Sequence, residues 1–241
     1  MEPTPQDIQE LRNKFNQKVA EENKDYHPKD VAKVTNDDKW LERFLIHVDM
    51  DMKEALNMLI DTCEWRKANN VNDLNEGNVN RDYLNEGSLY VHNKDKDNKS
   101  LFIFCCRKHV KGQKDMDELK RVVIYWMERI ERQEKGDQIT LFFDMQDSGL
   151  GNMDLEYTKY IISLFKLYYP NLLNYILIFE MPWVMNAAFK IIKSWLPTKA
   201  VQKIKFVDKK SLKEYVDSSQ AFKSWGGEDT YEFVFIPENH G

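Results

Sequence analysis

Between residues 139 and 179 the sequence is ITLFFDMQDSGLGNMDLEYTKYIISLFKLYYPNLLNYILIF. It begins with the strand-forming run Ile139–Phe143 and ends with a second apolar run, Tyr175–Phe179. Between them, Leu155–Tyr168 is rich in large apolar residues and long enough for a helix. A strand, a helix and a second strand in this order predict two parallel strands joined by a right-handed crossover.

The same alternation extends in both directions along the chain. Upstream, strands are predicted at Leu89–Val91 and Leu101–Phe104. A helix follows them, with one apolar face formed by Leu119, Val122, Val123, Trp126 and Ile130. Downstream, an amphipathic helix at Ala187–Leu196 precedes a short strand at Ile204–Val207. These patterns place the region among α/β proteins.

The first third of the chain is predicted to be helical. Gln6–Glu22 is a polar helix with few apolar anchors, and Asp37 or Asn36 can cap the helix after it. One apolar stripe at helical spacing is formed by Met52, Ala55, Leu56, Leu59, Ile60 and Cys63. We therefore expect a helical N-terminal lobe, residues 1–78, and a second lobe, residues 79–241. The second lobe should hold a mixed, mostly parallel sheet of about five strands flanked by helices.

Composition narrows the class of protein. The 241 residues are 42% hydrophobic and 31% charged with a net charge of -5, which suits a folded domain and does not suggest a nucleic-acid partner. The charge is uneven, because residues 186–213 hold eight lysines and one aspartate. This basic segment is either a solvated face or a surface that meets anionic phospholipid head groups.

The cysteines and the apolar stretches indicate the cellular compartment of the protein and whether it spans a membrane. Cys63, Cys105 and Cys106 have no metal-ligand spacing and predict neither a disulfide framework nor a metal site. Such cysteine usage and a polar start without a signal-peptide pattern predict a cytoplasmic location. The longest apolar stretch, Tyr175–Met185, is interrupted by a charged residue and a proline, so a membrane span is not expected.

The motifs of the common α/β enzymes are absent from the sequence. No Gly-x-x-x-x-Gly-Lys phosphate loop occurs, and Gly149-Leu150-Gly151 lacks the third glycine of a dinucleotide site. Ser148 is not part of a nucleophile elbow, and no two of the five histidines are four residues apart. We therefore predict that the chain is not an enzyme and uses no cofactor.

Several short motifs follow one another in an order typical of a known family. They are Asp37–Leu45, the strand end Asp144 with its turn Asp147-Ser148-Gly149, Tyr168-Tyr169-Pro170, Met181-Pro182-Trp183 and Gly226-Gly227. In this order they resemble CRAL-TRIO lipid-binding domains over roughly residues 30–230. The resemblance implies non-catalytic binding of one lipid or other hydrophobic molecule in an internal pocket, and transfer of that ligand between membranes.

The resemblance also suggests where the pocket and its gate lie. In the family, the helix corresponding to Ala187–Leu196 is the gate over the pocket. The predicted pocket residues are Phe104, Phe143, Ile161, Phe165, Ile178, Val184, Ala188, Ile191 and Ile192. Buried strands have the same composition whether lipid or protein lies beside them. The alternative to a gate helix is a core-packing helix with a solvated basic face, which has the same composition.

The lysines around the gate helix predict a docking surface. Lys190, Lys193, Lys199 and Lys203 would attract an anionic membrane while the apolar face of the helix enters its interface. The partners predicted for the chain are therefore a hydrophobic ligand and an anionic membrane surface.

Two positions depart from the phosphatidylinositol-transfer members of the family. Their glutamate after the Tyr-Pro motif is Asn171 here, and their arginine-rich segment corresponds to Ile46–Asp49, which contains no arginine. Only their lysine before the last strand has a counterpart in this chain, Lys203. Phosphatidylinositol is therefore not expected to be the preferred ligand. The alternative function is a protein-interaction or regulatory module with a vestigial pocket, whose partners would be other proteins.

Overall fold

The apolar runs pair into one five-stranded sheet, in the part of the chain that the computed structural model describes, residues 2–238. In the order in which they neighbour one another, the strands are β1 Leu89–Lys94, β2 Ser100–Cys105, β3 Ile139–Asp144, β4 Leu173–Phe179 and β5 Ile204–Val207. β1 pairs antiparallel with β2, and the remaining pairs are parallel. The predicted mixed, mostly parallel sheet is thus confirmed.

Most helices of the described residues begin after a residue whose side chain caps them. In chain order they are α1 Pro5–Glu22, α2 Pro28–Asn36, α3 Asp38–His47, α4 Met52–Ala68, α5 Arg81–Glu86, α6 Met116–Glu134, α7 Leu155–Leu167, α8 Asn186–Trp195 and α9 Thr198–Gln202. Asp37 caps α3 by accepting a hydrogen bond from the Trp40 N–H at 3.0 Å, one of the two capping residues that the sequence predicts. The short helices α2 and α5 were not predicted, although His27 and Asn80 cap them.

The chain divides into two compact units. The first contains residues 1–74 and also residues 163–172, and the second contains residues 75–162 and 173–241. The segment 163–172 is therefore inserted into the first unit from far along the sequence. The division predicted between residues 78 and 79 stays a prediction.

The first unit is a helical bundle around an apolar core. Leu11, Phe15, Leu41, Phe44 and Leu59 are among its fully buried side chains. Several contacts from this bundle hold the inserted segment. Among them are the stacking of Tyr168 on Trp65 at 4.2 Å and a hydrogen bond from Arg43 Nε to the Pro170 carbonyl at 2.9 Å. The Tyr-Tyr-Pro motif thus has a structural role in this unit.

In the second unit, every residue of β2 is buried, and so are most residues of β3 and β4. Strands buried on both faces are typical of parallel sheets, which explains the continuous apolar runs. Register then sets which side chains share a face, because successive side chains on a strand point to opposite sides.

Candidate functional site

Three of the predicted pocket residues stand side by side on one face of the sheet. Phe104 pairs in register with Phe143, and Phe143 with Ile178, so the three side chains form one row across β2, β3 and β4. The Phe104 and Phe143 rings stack at 4.7 Å. Leu89 on β1 and Phe206 on β5 extend the row to both edges. We call this side of the sheet the Phe143 face.

The opposite side, the Phe142 face, is filled by the protein itself. Phe142 stacks on Trp225 at 4.0 Å, and Phe179 lies 6.0 Å from the same indole. The Trp225 Nε1 donates a hydrogen bond to the buried Asp144 carboxylate at 3.1 Å, and Arg107 makes an ion pair with the same carboxylate at 3.0 Å. This part of the Phe142 face is therefore packed by an aromatic core of the protein itself.

Helix α8 lies over the Phe143 face at its β5 edge. The ring of Phe189 meets the ring of Phe206 edge-on at 4.9 Å, and Ile192 is buried. Helix α7 adjoins α8 through the Lys159 ammonium, which lies 5.8 Å from the Trp195 ring centre. The gate helix implied by the family resemblance thus covers part of the row, and α7 lies beside it.

The remaining pocket candidates have different environments. Ile161 is buried, and Ala188 is half-buried. Val184 and Ile191 are 37% and 48% exposed, so in this structure they do not line an enclosed space. Phe165 belongs to the first unit. The pocket as a whole stays a prediction, carried by the row on the Phe143 face and by Ile161 and Ile192.

An exposed apolar surface near α8 was not recognised in the sequence as a separate feature. Trp183 is 80% exposed and Phe206 is 52% exposed, and Val184 and Ile191 add to them. Large apolar groups facing water mark interaction or membrane surfaces when they are contiguous. The signal available in the sequence was the Met181-Pro182-Trp183 turn, where a tryptophan follows a proline outside any periodic pattern.

The predicted docking lysines fall into two groups. Lys190, Lys193 and Lys199 are exposed. Lys203 is half-buried and its ammonium donates a hydrogen bond to the Leu173 carbonyl. Burial, with a smaller effect of the neighbouring Lys199, lowers the pKa of Lys203. Lys203 is thus tied to the amino-terminal end of β4, and the other three are placed to meet a surface.

The first unit has a depression of about 430 Å³ that is open to solvent. It is lined by Lys24, Asp25, Tyr26, Glu64, Lys67 and Ala68. Its lining of mostly charged residues is unlike the apolar pocket that the sequence predicts.

Among residues 2–238, every helix is too short or too polar to traverse a bilayer.

Comparison with known proteins identifies the class to which this fold and site belong. Residues 84–227 match the model of the CRAL/TRIO domain, and the chain belongs to that family. The family resemblance predicted from the sequence motifs is confirmed.

Individual relatives extend the similarity beyond the matched domain. The chain is 27% identical to a CRAL-TRIO domain-containing protein of Schizosaccharomyces pombe over 221 residues, which are 86% of this chain and 49% of that protein. It is 26% identical to the phosphatidylinositol transfer protein CSR1 of Eremothecium gossypii over 218 residues, 81% of this chain and 48% of that one. The chain thus spans about half the length of these curated relatives.

A solved structure shows the same fold. The crystal structure of Sfh5 superposes with a TM-score of 0.72 over 99% of this chain and 96% of that one, at 17% sequence identity. At this identity the likeness extends to the fold alone.

Proposed function

We propose that this chain binds one lipid or other small hydrophobic ligand between the Phe143 face of its sheet and helices α7 and α8, and that it transfers the ligand between membranes. The observation that carries the proposal is the difference between the two faces. Trp225 packs against the Phe142 face, while the Phe143 face presents an aligned apolar row beneath an amphipathic helix. The name of the CSR1 relative, a phosphatidylinositol transfer protein, supports a lipid as the ligand class.

Burial of a lipid chain on such a face would be favourable without specific polar contacts. Each acyl CH₂ removed from water contributes roughly 0.8 kcal/mol, so a long chain gains a large free energy from an apolar surface alone. The aromatic rings of Phe104 and Phe143 offer flat contact area to such a chain.

The experiment is native mass spectrometry of the purified chain, followed by lipid extraction. Neighbouring alanines on α8 supply matched variants, since Ala188 is half-buried and Ala187 is exposed. Ala188→Trp should reduce the bound lipid, whereas Ala187→Trp should retain it, with both variants folded by circular dichroism. A folded wild-type chain that carries no lipid and accepts none would favour the alternative, a protein-interaction module with a vestigial pocket.

The exposed surface beside α8 supports docking on membranes as part of the same function. Trp183, Val184 and Ile191 expose apolar groups, and Lys190 and Lys193 carry charge on the same helical segment. Tryptophan is enriched at the membrane–water interface, and lysines near an anionic surface add electrostatic attraction. Docking by this segment would bring the exit of the pocket to the bilayer.

A finer resemblance suggests where the natural protein works. The run Met181–Lys190, together with Val71–Glu76, resembles the N-terminal domain of motile sperm domain-containing protein 2. That protein continues into a major sperm protein domain and a membrane anchor, and it joins the endoplasmic reticulum to other membranes. If the natural protein carries a C-terminal membrane anchor, we propose that it lies at the endoplasmic reticulum surface, at membrane contact sites. Imaging of the tagged natural protein with an endoplasmic reticulum marker tests this placement.

A further inference from the structure

A polar cluster lies where the loops after β2 and β3 meet. His109 follows β2, and Asp154 and Tyr157 follow β3, at the start of α7. The His109 Nε2 lies 3.2 Å from the Asp154 Oδ2, and the His109 and Tyr157 rings are 5.1 Å apart. The Asp154 Oδ1 accepts the Tyr157 N–H at 3.1 Å. Asp154 therefore holds the imidazole and the first turn of α7 in one arrangement.

The cluster leaves two side-chain polar atoms without partners. His109 Nδ1 is buried and has no hydrogen-bond partner. Within residues 2–238, the Tyr157 side chain has ring contacts but its hydroxyl makes no hydrogen bond. Buried polar atoms in folded proteins are nearly always paired. The buried and unpaired His109 Nδ1 therefore points to a hydrogen-bonding group that the protein itself does not supply, and the Tyr157 hydroxyl is on the adjacent ring.

The cluster adjoins the predicted pocket. Cys106 donates a weak hydrogen bond from its Sγ to the carbonyl of Phe104 at 3.6 Å, and Phe104 belongs to the row on the Phe143 face. Tyr157 lies one helical turn before the buried pocket candidate Ile161. Burial is the largest cause that raises the pKa of both the Tyr157 hydroxyl and the Cys106 thiol, so both groups stay neutral. The cluster therefore lies one helical turn from a predicted pocket residue.

The charges around the cluster disfavour an anionic head group. Asp154 and Glu86 add to the rise in the pKa of Tyr157, which reports a negative field at the phenol. Two cations of the neighbouring segments are engaged, because Arg107 pairs with Asp144 and the Lys159 ammonium lies over the Trp195 ring. A phosphate placed here would meet carboxylates, and burying it without charged partners is costly.

We propose that His109 and Tyr157 form the head-group site of the pocket and that the site takes an amphiphile whose head is a single uncharged hydroxyl. The Asp154 carboxylate fixes the proton on His109 Nε2, which leaves Nδ1 as an acceptor. A ligand hydroxyl donates to this nitrogen and accepts from the Tyr157 hydroxyl, so both vacant positions are used at once. This inference rests on the proposed function, because it assigns the polar end of the same pocket.

The test compares three probes that share one chain and differ in the head: hexadecanol, hexadecyl methyl ether and hexadecyl phosphate. Binding to the lipid-free full chain is measured by native mass spectrometry. Hexadecanol should bind about tenfold more tightly than the ether, which cannot donate a hydrogen bond, and the phosphate should bind most weakly. His109→Phe should remove the preference for the alcohol and leave binding of the ether unchanged. Tyr157→Phe should weaken binding of the alcohol and the ether alike, because either oxygen can accept from the Tyr157 hydroxyl. Tyr168→Phe, in the first unit, should change neither.

The outcomes separate this site from the pocket itself. Equal binding of alcohol and ether, or a preference for the phosphate, would overturn the head-group site while the pocket stands. Failure of all three probes to bind the folded chain would overturn the proposed function and the site with it. Tyr157→Phe removes one unpaired hydroxyl, so thermal unfolding should show the fold intact. Tyr157→Phe therefore still tests the head-group site if His109→Phe does not fold.

Discussion

The imidazole Nδ1 of His47 accepts a hydrogen bond from the backbone N–H of Asn171 at 3.1 Å. The other nitrogen, Nε2, lies 3.2 Å from the Lys166 carbonyl and must carry the proton. Both residues occupy positions at which the phosphatidylinositol-transfer members of the family, by sequence resemblance, carry charged groups. In this chain the two positions are joined to each other by a hydrogen bond that needs no charge on either side chain.

The first prediction is that phosphatidylinositol is not the preferred ligand. With His47 bonded to the backbone and an amide at Asn171, the chain has lost two of the three charged features that would hold an inositol phosphate. A phosphate buried without charged partners costs several kcal/mol. A binding panel of phosphatidylinositol, phosphatidylcholine and sterols in matched vesicles measures the preference. A clear preference for phosphatidylinositol, the lipid named for the CSR1 relative, would contradict the prediction.

The second prediction concerns docking through α8. Lys190→Glu combined with Lys193→Glu should strongly reduce binding to anionic vesicles at low salt, because each lysine near the surface contributes about 1 kcal/mol. Wild-type binding should also weaken steeply with added salt, since the attraction fades beyond a Debye length of roughly 8 Å at physiological ionic strength. Vesicle co-sedimentation measures both effects.

A charge-matched variant provides the control for docking. Lys39→Glu with Lys53→Glu changes the net charge equally at exposed positions of the first unit. It should retain most of the binding, and neutral vesicles should not distinguish the variants. If the two double variants bind anionic vesicles alike, the lysines of α8 are only a solvated face.

Much of the sheet could be predicted from the sequence, because burial on both faces leaves a direct mark on composition. Every residue of Ile139–Phe143 except Thr140 is apolar, and Tyr175–Phe179 is similar, so strand type and parallel pairing follow together. The strand ends were less visible, because β4 begins two residues earlier, at Leu173. The cap at Asp37 was equally visible, since its carboxylate acts within three residues. Such features depend on neighbours in sequence or on one repeated period.

The environment of α8 could not be predicted in the same way. An apolar stripe looks identical whether it faces a pocket, a core or a membrane, so the exposure of Ile191 and the burial of Ile192 had to come from the structure. The contact of His109 with Asp154 joins residues 45 positions apart. It follows from the parallel pairing of β2 and β3, whose carboxyl ends meet at one edge, but neither residue stands out alone.

The third prediction tests a buried ion pair in the first unit. Arg66 Nε contacts Asp30 Oδ1 at 2.7 Å with both side chains buried, and Asn72 bridges them through its own amide at 2.6 Å from Asp30 and 3.1 Å from Arg66. Arg66→Met would leave the Asp30 carboxylate buried without its cation. The free energy of unfolding should fall by about 3–5 kcal/mol, measured by urea titration.

Two companion variants isolate the cause of that loss. The double variant Asp30→Leu with Arg66→Met removes both charges and should be more stable than Arg66→Met alone. Lys67→Met breaks the neighbouring but exposed pair with Asp25 and should leave stability nearly unchanged. A single Arg66→Met variant as stable as the wild type would show that the buried pair contributes nothing.

The last prediction concerns the reactivity of the thiols. Burial raises the pKa of Cys63 to about 12, with the Asp30 carboxylate as the next cause, and it raises the pKa of Cys106 as well. An ordinary thiol titrates near pH 8.5, and the thiolate is the reactive form. Between that pH and the higher folded value, the folded chain therefore keeps its protons while an unfolded chain loses them. Native Cys63 and Cys106 should alkylate slowly with iodoacetamide at pH 9, and rapidly in urea.

Comparison of Cys106 with Cys63 separates the effect of the thiol pKa from the effect of access to the reagent. Its side chain is partly accessible whereas Cys63 is fully buried, so a reaction limited only by access would modify Cys106 much faster. Peptide mapping by mass spectrometry gives the rate at each cysteine. The same raised pKa determines how the free energy of unfolding depends on pH. The fold favours the neutral thiol, so this contribution to stability is fully present below about pH 8.5 and is lost progressively above it. Rapid alkylation of native Cys106 at pH 9 would contradict the raised pKa, which arises mainly from burial and then from the Asp144 carboxylate.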